Sequence, residues 1–490
     1  MPSFGDLLKA MGDVSSRDVV ELQCLSEMVD IYCRRAAEAI AGANVMLLCT
    51  GAGFSADSGL ATFKDIARVD AYSKAGLRYQ DLCTPDLMQS KPELFYGFWG
   101  SCFNSYRNTQ LHGGYEIIRK WRDDRFLRNA LSQDIQQYIR KHKVSGAVNS
   151  AADGARLEAG AFFVLTSNID SHSFDIFEEC EVRECHGSLE VWQCGASDGP
   201  CSSETWFAPV EFVFSIDRST MLAEGLSEAI HEGREKRPLP SVTLRQSFLT
   251  NLPKRRRRIM SSFDERWPCC PNCGHRARPA VLMFDDSHWV PQFTGEDRHA
   301  AWHAAVMNTG RAWKRRTGSN LHVVIMEIGC GMEVTKVRQA SEDAAMDYAE
   351  AGFDVSLVRV NPEHPGLDSR LPGVQHIPLC CRGLEALQRI ESLFLFEPHG
   401  RWNSLSVDDM NSESTESSAS SDFSDTCTLD SSCREESAYH RPESLCVSQT
   451  VARLADEELC HPVRRLKRVV SNNDQVSDGS LLSKRSKWAT

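Results

Sequence analysis

The stretch "NVMLLCTGAGFSADSGLATFKD", residues 44–65, constrains this chain more than any other. An unbroken apolar run passes directly into a loop that carries Gly51, Gly53 and Gly59 among small residues. A run with no polar alternation reads as a strand buried on both faces, and such strands belong to parallel sheets covered by helices. One turn needs one glycine. Several close together let the backbone approach something flat and anionic, although a purely structural turn accounts for them as well.

The same texture recurs in "GAFFVLTS" at 160–167, "LHVVIMEIG" at 321–329, "VSLVRVN" at 355–361 and "VQHIPL" at 374–379. Helix-like segments such as "TKVRQASEDAAMDYAEAG" and "GLEALQRIESLF" lie between them. This alternation predicts an α/β fold, a Rossmann-like doubly wound parallel sheet. The strands run into "GAGFS", "SNID", "GCGME" and "NPEHPG". Ligands of open α/β sheets sit at the carboxyl ends of strands, so these loops are expected to meet at one crevice.

Residues 16–42 carry helical periodicity, and residues 1–35 read as an N-terminal helical extension. The main domain is expected over 36–400. Residues 127–158 read as a polar helical insertion, and 202–268 as irregular, including "PKRRRR" at 253–258. From 401 to 490 the composition turns serine-rich and acidic with a basic end, which predicts a disordered tail.

With 41% hydrophobic residues in 490, the chain can bury a full core. A formal net charge of −12 argues against broad nucleic-acid binding. No apolar stretch reaches the length of about 18 residues that a membrane span needs. The opening "MPSFGDLLKAMGDVSSRD" lacks a signal-peptide core, and 19 scattered cysteines suit a reducing compartment. Together these predict a cytosolic or nuclear protein. The basic runs "PKRRRR", "RRLKR" and "SKRSK" are nuclear-localisation signals or solvated charge.

Three constellations carry chemistry. Gly51, Gly53 and Ala56 satisfy G-x-G-x-x-G/A directly after a strand, the context a dinucleotide site requires. No strand closed by an acid follows about 20 residues on, which disfavours a dehydrogenase. "CPNCG" spaces Cys270 and Cys273 as a zinc knuckle, with Cys194 and Cys201 available as the other pair. Free thiols are the alternative, and Cys269 competes with Cys270. Four thiolates would fill a tetrahedral zinc, making it structural. Finally, "LTSNID" places Asn168 and Asp170 at a strand end, as helix caps or ligand contacts, and "ECHGSL" places His186 before Gly187.

In this order the motifs resemble the sirtuin family of NAD-dependent protein lysine deacylases, closest to the bacterial-type branch with TSN in place of TQN. "GAGFSADSGLATFK" resembles GAGxSxxSGIPxFR, "TSNID" resembles TQNID, and "HGS" resembles the catalytic histidine motif. "CPNCG" followed by "ARPAVLMFDD" resembles the second zinc pair and the strand after it, "IGCGMEV" the G-T-S-L-x-V segment, and "VRVN" the adenosine-ribose strand. The resemblance spans about residues 36–396 and implies an inserted zinc-binding domain at about 187–285.

It further implies two cofactors, NAD and Zn2+, and an acyl-lysine protein or peptide as partner. Backbone at Gly51, Ala52 and Gly53, with Ser55, would hold the pyrophosphate. Phe63, Lys64, Ser167, Ile169 and Cys381 would contact the cofactor. Asn168 would meet the nicotinamide ribose and Asp170 the carboxamide. His186 would be the general base on the ribose hydroxyls, a task suited to an imidazole. Gly329 and Cys330 would line the adenine side, and Asn361 the adenosine ribose. Zinc would take Cys194, Cys201, Cys270 and Cys273.

The departures are specific. The family's Asp-Phe-Arg is Thr62-Phe63-Lys64, its glutamine is Ser167, and its Phe-Gly-Glu is Phe284-Asp285-Asp286. The histidine usual three residues beyond the NID aspartate is absent, and His172 stands two beyond. Transfer of ADP-ribose to protein or water, and a catalytically weak NAD-binding scaffold, are the alternative functions.

Overall fold

The computed structural model describes residues 16–62, 65, 69–142, 158–224 and 253–395. The strands in this part are β1 (Val45–Thr50), β2 (Phe162–Thr166), β3 (Val182–Glu184), β4 (Gly187–Cys194), β5 (Thr205–Phe207) and β6 (Ile216–Asp217). They continue with β7 (Leu222–Ala223), β8 (Ala277–Val281), β9 (His322–Ile328), β10 (Asp354–Val360) and β11 (Val374–Leu379).

Six of them form one sheet in the order β11-β10-β9-β1-β2-β3, every pairing parallel. β1 is the centre: Leu48 lies opposite Val164 on one side and Met326 on the other. Its six residues are all buried, as an unalternating apolar run demands. The chain builds the sheet outward from β1 in one direction, then returns and builds outward in the other. The reversal falls between β1 and β9, the topological switch point at which open α/β sheets hold ligands.

Helices pack against one another and against the sheet. Val29–Gly42 packs with Gly383–Leu395, which in turn meets Gly113–Trp121. Lys336–Glu350 covers β10 and β9, and Phe293–Thr317 covers β3 and β2. The result is the doubly wound α/β architecture expected from the strand–helix alternation. Helix Ala130–His142 is less polar in effect than its composition implies. Leu131, Ile135 and Ile139 turn inward and join the main core, and the helix lies against Phe293–Thr317.

A second core stands apart from the first. β5, β4 and β8 form an antiparallel sheet, and β6 and β7 pair as a short hairpin. Trp192, Phe214 and Trp267 from this region pack with Tyr96, Trp99 and Phe103 from helix Pro92–Asn108. The small module therefore draws its aromatic core from two separated stretches of chain. Of the region 202–268, the described residues 202–224 and 253–268 hold β5, β6, β7 and helix Pro253–Ser261, while 225–252 lie outside the described residues. Residues 401–490, where the serine-rich tail is expected, lie outside the described part.

Among the described residues no helix is long and apolar enough to cross a membrane.

Candidate active site and metal centre

The glycines of the first loop are explained by a backbone crossing at the switch point. The Gly51 amide donates to the Ile328 carbonyl at 3.0 Å, and the Gly53 amide to the Gly329 carbonyl at 3.0 Å. A Cβ at Gly53 would lie 2.7 Å from the Gly329 Cα, and one at Gly51 would lie 2.7 Å from the Gly329 oxygen. Gly329 itself has a φ of 68°, and its own Cβ would meet the Phe54 nitrogen at 2.3 Å. The loops after β1 and β9 thus interlock, and any side chain would force them apart.

Ala52 and Ser55 lie in the short helix Ala52–Ala56 that leaves this crossing. Ser55 is buried and sits between two loop residues of the β2 strand end. Its Oγ donates to Asp170 Oδ2 at 2.6 Å and accepts from Asn168 Nδ2 at 2.9 Å. Tyr115 Oη stands 3.5 Å from the same oxygen. Thr166 orders the approach: its hydroxyl accepts from the Asn168 amide at 3.0 Å and from Thr50 Oγ1 at 2.8 Å. Asp170 Oδ1 accepts from the His172 amide at 3.0 Å.

His172 is wholly buried. Its Nε2 meets the Tyr106 carbonyl at 3.0 Å, whereas Nδ1 lacks a hydrogen-bond partner and faces Asp170 Oδ2 at 3.8 Å. His112, also buried, supports the loop from below. Its Nε2 donates to the Phe54 carbonyl at 2.9 Å, which leaves Nδ1 to accept from Gly114.

His186 occupies the turn between β3 and β4, with its carbonyl accepting from Leu282 at 2.9 Å. Its ring is half-buried against the backbone of Ser167, whose amide is bonded to Thr50. Burial pushes the imidazole down to about 4, and the cations of Lys336 and Arg183 act in the same direction. The Ser167 backbone hydrogen bond opposes them. At neutral pH the ring is uncharged and able to accept a proton. Lys336 opens the helix after β9, is half-buried, and its ammonium has no ion pair or hydrogen bond among the described residues. Neither Lys336 nor Tyr115 carries a local sequence signal, because each reaches the site through packing of distant elements.

The remaining expected residues are placed unevenly. Cys330 is buried in the interlocked loops, and its carbonyl accepts from Asn361 Nδ2 at 2.8 Å. Asn361 Oδ1 accepts from the amides of Glu363 at 2.9 Å and His364 at 3.0 Å, so this side chain shapes its own loop. Ile169 is half-buried against the small module, and its carbonyl accepts from Leu189 at 3.0 Å. Cys381 lies among the main core residues, where burial raises its thiol and the Cys33 thiol adds to the effect. Phe63 and Lys64 lie outside the described residues.

In the altered Phe284-Asp285-Asp286 segment, Asp285 has a φ of 54°, a left-handed conformation that suits glycine better. Asp286 is turned inward and pairs with buried Arg278 through two bonds of 2.7 and 2.8 Å. Phe284 is exposed and meets the edge of Tyr79.

Cys194, Cys201, Cys270 and Cys273 converge, their sulfurs all within 4.8 Å of one another. Cys194 and Cys273 are 3.6 Å apart, as are Cys201 and Cys270. Zinc–thiolate bonds of about 2.3 Å in a tetrahedron place sulfurs about 3.8 Å apart, so the donor set fits a structural zinc. Gly274, at φ 75°, closes the knuckle, with its amide on the Cys270 carbonyl at 2.9 Å. Cys269 is directed elsewhere, its Sγ on the Trp267 carbonyl at 3.2 Å. The competition between neighbours is resolved in favour of Cys270.

No protein-family model matches the chain, and no curated protein matches it. Solved structures do. One is a Sir2 homologue in complex with NAD, 14% identical, with 74% of this chain and 94% of that chain covered at a TM-score of 0.39. A second is Sir2 with a p53 peptide and NAD+, 13% identical over 74% of this chain and 99% of that chain, TM-score 0.39. A third is Sir2Tm bound to a propionylated peptide, again 13% identical over 74% and 99%, TM-score 0.39. The solved structures to which this chain is similar thus include Sir2 homologues.

Proposed function

We propose that the chain is an NAD-dependent protein lysine deacylase of the sirtuin type, yielding nicotinamide, free lysine and O-acyl-ADP-ribose. The observation that carries this reading is the convergence of Ser55, Asn168 and Asp170 into one buried hydrogen-bonded cluster. It lies at the carboxyl ends of β1 and β2, next to the reversal of strand order, with an uncharged His186 beside Ser167. Ser55 lies 113 residues from Asn168 and 115 from Asp170 in sequence, and their hydrogen bonds support the reading.

In this reading NAD is the co-substrate and supplies the electrophilic ribose carbon. Asn168 orients the nicotinamide ribose. Asp170, held by Ser55, binds the nicotinamide carboxamide. His186 accepts a proton from a ribose hydroxyl, a role that requires an imidazole uncharged at working pH. The four cysteines hold zinc away from these groups and brace the small module. An acyl-lysine peptide is the partner, and the cytosol or nucleus the compartment.

Transfer of ADP-ribose to protein or water is the second reading. It is favoured by Asp286, whose carboxylate is committed to Arg278 and so is unavailable to a peptide backbone.

Incubation with NAD and a panel of acyl-peptides, read by product mass, tests the proposal. O-acyl-ADP-ribose is expected, and its loss in His186→Ala. Free or protein-bound ADP-ribose in its place supports the second reading. Release of no nicotinamide with any peptide refutes both.

A further inference from the structure

Ser171 and Ser188 join the two modules of the molecule at the edge of the candidate site. Ser171 directly follows Asp170 and is held at a φ of 64°, a region that residues with a Cβ rarely adopt. Its Oγ lies 2.6 Å from the Oγ of Ser188 on β4, and both side chains are buried. Ser188 Oγ also accepts from the Glu190 amide at 3.2 Å. The Leu189 amide donates to the Ile169 carbonyl at 3.0 Å, so a backbone bond also joins the two chain segments beside the serine pair.

The connection continues in each direction. Towards the sheet, the turn that Ser171 makes presents the His172 amide to Asp170 Oδ1 at 3.0 Å, while Ser55 holds Oδ2 at 2.6 Å. Towards the small module, the Glu190 carboxylate is gripped by Arg107 at 2.7 and 2.6 Å. The same guanidinium reaches the carbonyls of Pro209, Val210 and Phe212 at 3.0, 2.9 and 3.0 Å. A run of polar contacts therefore extends from the loop after β1 to the wall of the aromatic core.

We propose that the Ser171–Ser188 bridge positions Asp170, pinning the turn that aims its carboxylate to the strand that carries the small module. The two serines are positioning residues, since neither needs to touch substrate. The inference rests on the deacylase reading for its catalytic consequence and on geometry for its structural one. A buried hydroxyl pair across two modules sets the turn angle more sharply than packing does, because a hydrogen bond is directional.

Ser171→Gly, which tolerates the left-handed backbone, and Ser188→Ala remove the bridge from opposite ends. Each is expected to lower kcat for nicotinamide release about five-fold, the scale of one hydrogen bond, with KM for NAD held. The double variant is expected to be no slower than either single one. Effects that multiply, or an unchanged kcat, overturn the proposal. In the NAD-free protein, hydrogen exchange at the His172 amide is expected to quicken in both variants. Unchanged exchange there overturns it whether or not the chain turns over NAD. Quickened exchange in a chain that releases no nicotinamide refutes the deacylase reading and leaves the bridge's role on Asp170 upheld.

Discussion

Ser55 donates its hydroxyl proton to Asp170 and receives one from Asn168, so a single oxygen orders both residues expected at the nicotinamide end. The contact crosses 115 positions of sequence and is buried. Ser55→Ala leaves the Asp170 carboxylate and the Asn168 amide each short of a partner. The expected cost is about 1–3 kcal/mol of stability, with weakened NAD binding. Thermal unfolding and calorimetric titration check both. A variant as stable as the parent and equally able to bind NAD would remove this serine from the account.

The pH response follows from buried histidines. His186 and His376 are each lowered to about 4 and His299 to about 3, burial being the largest cause in every case. The unfolded chain takes up these protons near pH 6.5. The folded state therefore enjoys this stability in full above that value, and loses it as pH falls from there through about 4. Urea midpoints are expected to fall between pH 7 and pH 5. At the candidate site, Lys336→Met removes one cation that holds His186 down, so the acid limb of kcat/KM is expected to move to higher pH. An acid limb that stays in place would show that Lys336 does not act on this ring.

Zinc is expected at one ion per chain. Cys270→Ser should lower the metal content and destabilise the small module, whereas Cys269→Ser should retain the ion, because its sulfur faces Trp267 instead. Metal analysis after gel filtration, together with unfolding in the presence of a chelator, measures this. A Cys269→Ser protein without metal would reverse the assignment.

Gly329→Ala is the most damaging small change expected at the switch point. A methyl group there meets the Phe54 nitrogen at 2.3 Å and the Gly53 carbon at 2.5 Å, and the backbone is already left-handed. The interlocked loops must separate, and a loss of several kcal/mol is expected from strain and overpacking. Gly366→Ala, with open space around it, serves as the control. Equal melting temperatures for the two variants would contradict the interlock.

The parallel sheet was legible in the chain because strands buried on both faces are largely apolar, as β1 and β2 are up to their terminal threonines and β9 and β10 are apart from Glu327 and Arg359 and their exposed first residues and Ser356. Glycine density after β1 and the cysteine knuckle were legible for a similar reason, since each satisfies a local geometric demand. What the glycines press against was not. They pack on Gly329, and only the pairing of β1 with β9 brings that residue to them. The inward turn of Leu131, Ile135 and Ile139 likewise depends on helix Phe293–Thr317 lying alongside.

The site divides along the same line. Local pattern determined which strand ends carry Asn168, Asp170 and His186, and that four thiols suit one metal. Tertiary structure alone decided that Ser55 bridges Asn168 and Asp170, that the charge of Lys336 acts on His186, and that Cys270 displaces Cys269. The physical reason is range. Strand burial, turn conformation and ligand spacing act between near neighbours in the chain, whereas hydrogen bonds and charge effects at a site act through space.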